Sequence, residues 1–155
     1  MVDLKSIRKR TISVDEYIQS LDDKNRDIVM EMYEQYDLDG NVVKELRNLI
    51  KDITTVVFSA AWCGDCKNAM PVIKHLVQQI GIEVRIFDKI KTAPLDPDHQ
   101  WKIPPSPPEI EEWNVTAIPW FEFIDGDGNR IAHLIEKPKI KDTLEAEMLY
   151  VLKNK

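Results

Sequence analysis

A change of period in mid-chain is the strongest constraint on the fold. Thr54-Thr55-Val56-Val57-Phe58-Ser59 is a short, largely β-branched run, as expected of a buried parallel strand. A helical pattern begins at once, with Cys66, Ala69, Met70, Ile73, Leu76, Val77 and Ile80 on its apolar face and Gly81 to close it. Ile82 to Asp88 then alternates like a strand. Strand, helix and strand in that order fold naturally as a right-handed βαβ unit.

The flanking sequence extends this unit on both sides. Residues 11–50 read as helical. Ser13 and Glu16 form a capping box ahead of Tyr17, Ile18 and Leu21. A second helix starts near Asp22 or Asp23 and runs through Ile28, Met32, Tyr33 and Tyr36 to a turn at Asp37–Asn41. A third carries Val42, Val43, Leu46, Leu49 and Ile50. Downstream, residues 89–108 are irregular, because six of the nine prolines lie between Pro94 and Pro108. Ser106 and Pro107 can cap a short helix through Ile110 and Trp113. Trp120–Ile124 and Arg130–Ile135 read as strands joined by a hairpin turn. A last helix is expected over Ile140 to Leu152. The order after residue 53 is therefore β-α-β-(α)-β-β-α.

Composition narrows the function classes. A chain of 155 residues fits one domain with a sizeable core, here 1–40 as a helical extension and 41–155 as the core. The net charge of −6 gives no bulk attraction for nucleic acid or an anionic membrane. The longest nearly apolar stretch, Thr55 to Cys63, is far short of the roughly 20 residues that span a bilayer. Lys5, Arg8, Lys9 and Arg10 are not followed by an apolar block, so no signal peptide is read and the expected compartment is cytoplasmic. That basic cluster reads as a solvated end. Two cysteines are too few for a disulfide-stapled scaffold or a four-thiolate zinc site.

Those two cysteines lie in Trp62-Cys63-Gly64-Asp65-Cys66-Lys67, where the buried strand ends and the helix begins. Free N–H groups and the helix dipole at that place favour a thiolate. The spacing brings the second sulfur within disulfide reach of the first. Cys63 is the more exposed position and the expected nucleophile; Cys66, one turn on, is the expected resolving thiol. A metal site lacks partners, since His75, His99 and His133 are scattered, so none is expected.

The strand, the Trp-Cys-x-x-Cys motif, Pro71 five residues later and the Ile118-Pro119 pair ahead of two strands together resemble the thioredoxin family. The resemblance covers roughly residues 42–153. It extends to bacterial and archaeal thioredoxin-like proteins that read Trp-Cys-Gly-Asp-Cys and carry a helical N-terminal extension. It implies a three-layer α/β/α thioredoxin fold with a central mixed sheet. It also implies a cis peptide bond before Pro119, and a substrate chain paired to the Ile118 backbone. The activity implied is thiol–disulfide exchange on protein substrates, with no bound cofactor and with a reductant such as a thioredoxin reductase-type system.

The chain departs from the family at three positions. Val57 stands where thioredoxins bury an Asp that helps proton transfer to the resolving thiol. Water or another carboxylate must then do that work, or exchange is slower; Glu122 is a candidate stand-in, with an outward-facing strand position as the alternative. Asp65 replaces the usual Pro and competes with a thiolate for the helix N-terminus. A reducing couple is thus expected, nearer thioredoxin at roughly −270 mV than the oxidant DsbA at roughly −120 mV. Trp120 replaces a small Thr and is expected to narrow the substrate groove. Trp62 is a further candidate substrate contact, and Lys67 a candidate electrostatic partner of the thiolate or simply a solvated lysine. Trp101 and Trp113 read as anchors and His75 as structural. Asp125, Asp127, Asn129 and Glu136 match a calcium loop only in part and read as a turn.

The expected function is therefore protein-disulfide reduction through a Cys63/Cys66 dithiol–disulfide cycle. The alternatives are a redox-sensing or binding module with little turnover, and a zinc-bridged dimer using one cysteine pair from each chain.

Overall fold

The computed structural model describes residues 1–91 and 105–155. Trp101, His99 and most of the proline-rich insertion lie outside the described residues. Within them the order is α1 (Leu4–Arg10), α2 (Val14–Ser20), α3 (Asp23–Gln35), α4 (Gly40–Leu49), β1 (Thr54–Phe58), α5 (Gly64–Ile80), β2 (Glu83–Phe87), α6 (Glu109–Glu112), β3 (Trp120–Ile124), β4 (Arg130–Ile135) and α7 (Leu144–Lys153). No described helix is long and apolar enough to cross a membrane.

The four strands form one mixed sheet in the order β2-β1-β3-β4. β1 runs parallel to β2 and antiparallel to β3, and β3 pairs antiparallel with β4. Strand alternation sends successive side chains to opposite faces, and each face buries its own core. On one, Val57, Ile86 and Phe121 meet Tyr17, Val29, Leu46, Ile73 and Met148 from α2, α3, α4, α5 and α7. On the other, Val56, Phe58, Phe87 and Trp120 meet Ile7 of α1 and Ile110 of α6. Each fully buried aliphatic or aromatic side chain here contributes about 1.5–3 kcal/mol.

Local chemistry starts and stops the helices. The Ser13–Glu16 capping box is formed in both directions at 3.0 and 3.1 Å, an arrangement worth about 1 kcal/mol. Gly81 ends α5 in the left-handed conformation at φ 66, its N–H donating to the Val77 carbonyl. In the β3–β4 turn the Asp125 carboxylate accepts the N–H groups of Asp127 and Asn129 at 2.9 Å, as a hairpin turn requires.

Several expectations need correction. The basic N-terminal cluster is exposed at all four positions, as expected, but it is no loose end: residues 4–10 form α1, with Ile7 buried, Arg8 paired to Glu83 at 2.7 Å and Arg10 to Glu109 at 2.6 Å. The apolar stripe of α3 is turned by one residue, so Val29 is buried and Ile28 is exposed. α7 begins at Leu144, not Ile140. The buried Glu147 carboxylate takes the backbone N–H groups of Lys139, Ile140 and Lys141, which holds them in an irregular approach to the helix. Just after α1, Ile12 and Ile86 exchange both backbone hydrogen bonds, at 3.0 and 2.8 Å, along the outer edge of β2. The Arg85 guanidinium donates to the carbonyls of Arg8 and Thr11 beside them.

Candidate functional site

Both cysteines are free and sit at the junction of β1 and α5. Cys63 is the N-cap of α5, a place usually held by a hydroxyl or carboxylate. Its sulfur accepts the Cys66 N–H at 3.4 Å, and its thiol donates to the Ile118 carbonyl at 3.7 Å. Cys63 is half-buried, whereas Cys66 is fully buried within the smaller core. Burial pushes the Cys66 thiol well up, against the Ser59 hydroxyl and the Ala60 N–H, which face its sulfur and favour the thiolate. The two sulfurs therefore differ: one is reachable at a helix terminus, the other is held as a protonated thiol behind it.

The structure gathers some of the expected site residues and disperses others. Gly64 and Asp65 open the first turn of α5 between the sulfurs. Trp62 is 55% exposed beside Cys63. The Ile118–Pro119 peptide bond is cis and lies against Cys63 through the Ile118 carbonyl. Trp120, by contrast, is buried: it stacks on His133 at 5.0 Å and its ring N–H donates to Glu122 at 3.0 Å. It packs the sheet rather than narrowing an open groove, because its strand position faces the α1 side. The Lys67 ammonium is partly buried and donates to Asn25 of α3 at 3.0 Å, a partner outside the cysteine motif. His75 is structural, with Nε2 2.7 Å from the Tyr33 carbonyl and its ring stacked on Tyr33.

Glu122 is not a stand-in for the missing acid. It is buried, but in the register of β1 and β3 it lies opposite Val56, whereas Val57 is opposite Phe121. Its carboxyl therefore occupies the other face of the sheet, near Arg130 at 3.7 Å, and burial raises its pKa there. Val57 is sealed in the larger core. Two residues on, just past the end of β1, is Ser59. Its hydroxyl donates to the Tyr17 hydroxyl of α2 at 2.8 Å, with Tyr17 2% exposed and Ser59 fully buried. Tyr17 had been legible only as an apolar-face residue, since nothing in sequence separation of 42 residues signals the contact.

A sequence-family model described as Thioredoxin matches residues 11–104. A thioredoxin-like protein of Synechocystis is 26% identical over 98 residues, which is 62% of this chain and 79% of that protein. Thioredoxin H2 of Arabidopsis thaliana is 30% identical over 114 residues, covering 74% of this chain and 71% of its own. A crystal structure of a protein of unknown function from Pseudomonas aeruginosa superposes with a TM-score of 0.73 over 99% of this chain and 96% of its own, at 16% identity. That last likeness speaks to the fold.

Proposed function

The chain belongs to the thioredoxin family, and from that premise we propose that it reduces protein disulfides through a Cys63/Cys66 dithiol–disulfide cycle. Family and fold support a thiol–disulfide oxidoreductase role in general terms. The residue roles rest on the sulfur geometry, and the reducing direction rests on Asp65 competing with the Cys63 thiolate in the first turn of α5. One observation carries the reading: two free thiols at a helix start, one half-buried and one fully buried, with the Cys66 N–H on the Cys63 sulfur at 3.4 Å.

In the cycle the Cys63 thiolate attacks a substrate disulfide, and the first substrate sulfur leaves with its electron pair. A mixed disulfide remains on Cys63. Cys66 then attacks the Cys63 sulfur, the bond to the substrate breaks, and the second substrate sulfur leaves as a thiol. The protein ends oxidised as Cys63–Cys66 and the substrate reduced by two electrons. Ile118 and Pro119, beside Cys63, would hold the substrate chain. A reductant of the thioredoxin reductase type would return the pair to dithiol, in a reducing compartment such as the cytoplasm. No bound cofactor is needed for these steps.

Two measurements test the reading. The wild-type protein should accelerate insulin reduction by dithiothreitol, and Cys63→Ser should abolish the acceleration. Cys66→Ser should trap substrate as a stable mixed disulfide on Cys63, identifiable by mass spectrometry. The absence of a buried acid at Val57 lends some weight to a redox-sensing module instead. Such a module would give little rate with or without Cys63, and that result would displace the enzyme reading.

A further inference from the structure

Resolution of the mixed disulfide demands that Cys66 give up its proton, and that sulfur is the most deeply buried reacting atom in the site. With Val57 in place of an ionisable side chain and the Glu122 carboxyl held by Trp120 and Arg130, no carboxylate among the described residues stands behind it. Two hydroxyls do. Ser59 lies just past the end of β1, and its side chain lies between the Cys66 sulfur and the Tyr17 hydroxyl. Tyr17 is delivered by α2, which the Ser13–Glu16 box starts and which packs on α5 and β2. All three side chains are 2% exposed or less.

We propose that the Ser59 and Tyr17 hydroxyls form a reversible pair that stabilises the Cys66 thiolate during resolution, Ser59 acting on the sulfur and Tyr17 as a positioning residue supplied by the N-terminal helices. This rests on the exchange reading above. A hydroxyl donates one hydrogen bond and accepts others, so the pair has two states. With Cys66 as a thiol, the Ser59 hydroxyl donates to Tyr17, as observed. With Cys66 as a thiolate, the Tyr17 hydroxyl donates to Ser59 and the Ser59 hydroxyl turns to donate to sulfur. The proton released by Cys66 ends on the departing substrate sulfur, which leaves as the free thiol while the Cys63–Cys66 bond forms. Burial pushes the Tyr17 phenol up, with Ser59 opposing, so it keeps its proton and acts as a donor. The other titratable groups facing the pair are Cys63 beside Cys66 and Asp88 towards Tyr17.

The two steps separate with dithiobis(nitrobenzoate). Attack by Cys63 releases one thionitrobenzoate, and resolution by Cys66 releases a second, each followed by stopped-flow absorbance across a range of pH. Tyr17→Phe, which keeps the packing, should leave the first release unchanged. It should slow the second by about three- to tenfold and displace its pH profile upward, as loss of one neutral hydroxyl–hydroxyl hydrogen bond behind the charged sulfur requires. Ser59→Ala should do the same more strongly, and Ser59→Thr, which restores the hydroxyl, should recover most of the rate. Unchanged second release and an unchanged profile in both Tyr17→Phe and Ser59→Ala would overturn the proposal. Failure of the wild-type protein to give a second release at all would overturn the exchange reading beneath it.

Discussion

Replacing Glu145 by alanine should loosen the N-terminal helices from α7 at a cost of roughly 2–4 kcal/mol. The Glu145 carboxylate is fully buried; it accepts the Tyr36 hydroxyl at 2.5 Å and the Asp39 N–H at 3.0 Å. Hydrogen bonds to a charged group are worth about 1.5–3 kcal/mol each. Tyr36 is half-buried and Asp39 exposed, so both donors recover some water and the lower part of that range applies. For a chain of this length the melting temperature should fall by roughly 5–15 °C. Urea unfolding followed by far-ultraviolet circular dichroism measures the loss. A double-mutant cycle with Tyr36→Phe should return a coupling of about 1 kcal/mol. Hydrogen exchange should also speed up along α3. A loss below about 0.5 kcal/mol, the level of an ordinary surface substitution, or a coupling near zero, would refute the view that this carboxylate fastens the extension.

Iodoacetamide should modify Cys63 in the native reduced protein and reach Cys66 only after unfolding, because Cys66 is fully buried and burial keeps its thiol protonated; peptide mapping reads both sites. Asp65→His should make the couple more oxidising by about 7–20 mV, the equivalent of a helix-terminus charge effect of about 0.3–1 kcal/mol, measured in glutathione buffers. Burial, the largest single effect, would raise the Glu109 carboxyl, but the Arg10 hydrogen bonds, its own backbone N–H and the Arg10 charge together outweigh it and the net shift is downward. A carboxyl lowered on folding stabilises the protein above its ordinary value of 4.5 and loses that contribution as pH falls through the folded value. Urea midpoints should therefore drop on acidification, and less so in Glu109→Gln, by no more than about 1 kcal/mol for so exposed an Arg10.

The parts of this molecule that sequence made legible are those governed by local rules. The Ser13–Glu16 box, the β-branched run before Trp62, the Gly81 stop and the Asp125 turn each carry their cause within a few residues. So do the two cysteines, whose separation fixes their place on the first turn of α5. The residues misread are those whose partners are remote. Arg8 and Arg10 read as unpartnered because Glu83 and Glu109 are 75 and 99 positions away. The family resemblance puts Trp120 at the substrate groove and the strand pattern leaves Glu122 either beside the cysteines or outward, but alternation turns both to the α1 face. Ile140 matched a helical period, yet Glu147 claimed the backbone donors that a helix there would have used. Ser59 and Tyr17 carried no signal at all, since a serine at a strand end and a tyrosine on an apolar face are ordinary until brought together.

The short crossing of Ile12 over Ile86 has a consequence for how copies of the chain meet. A sheet edge with unpaired N–H and C=O groups is a template for adding a foreign strand, and hence for aggregation or swapping. Ile12 spends both backbone groups on the outer edge of β2, and Arg85 covers the Arg8 and Thr11 carbonyls alongside it. That border of the sheet is closed by a single residue rather than by a full strand. Among the described residues this leaves β4 as the only border open to extension, and it presents exposed Arg130 there. Growth of the sheet from one molecule into the next is thus blocked on one side by pairing and discouraged on the other by charge.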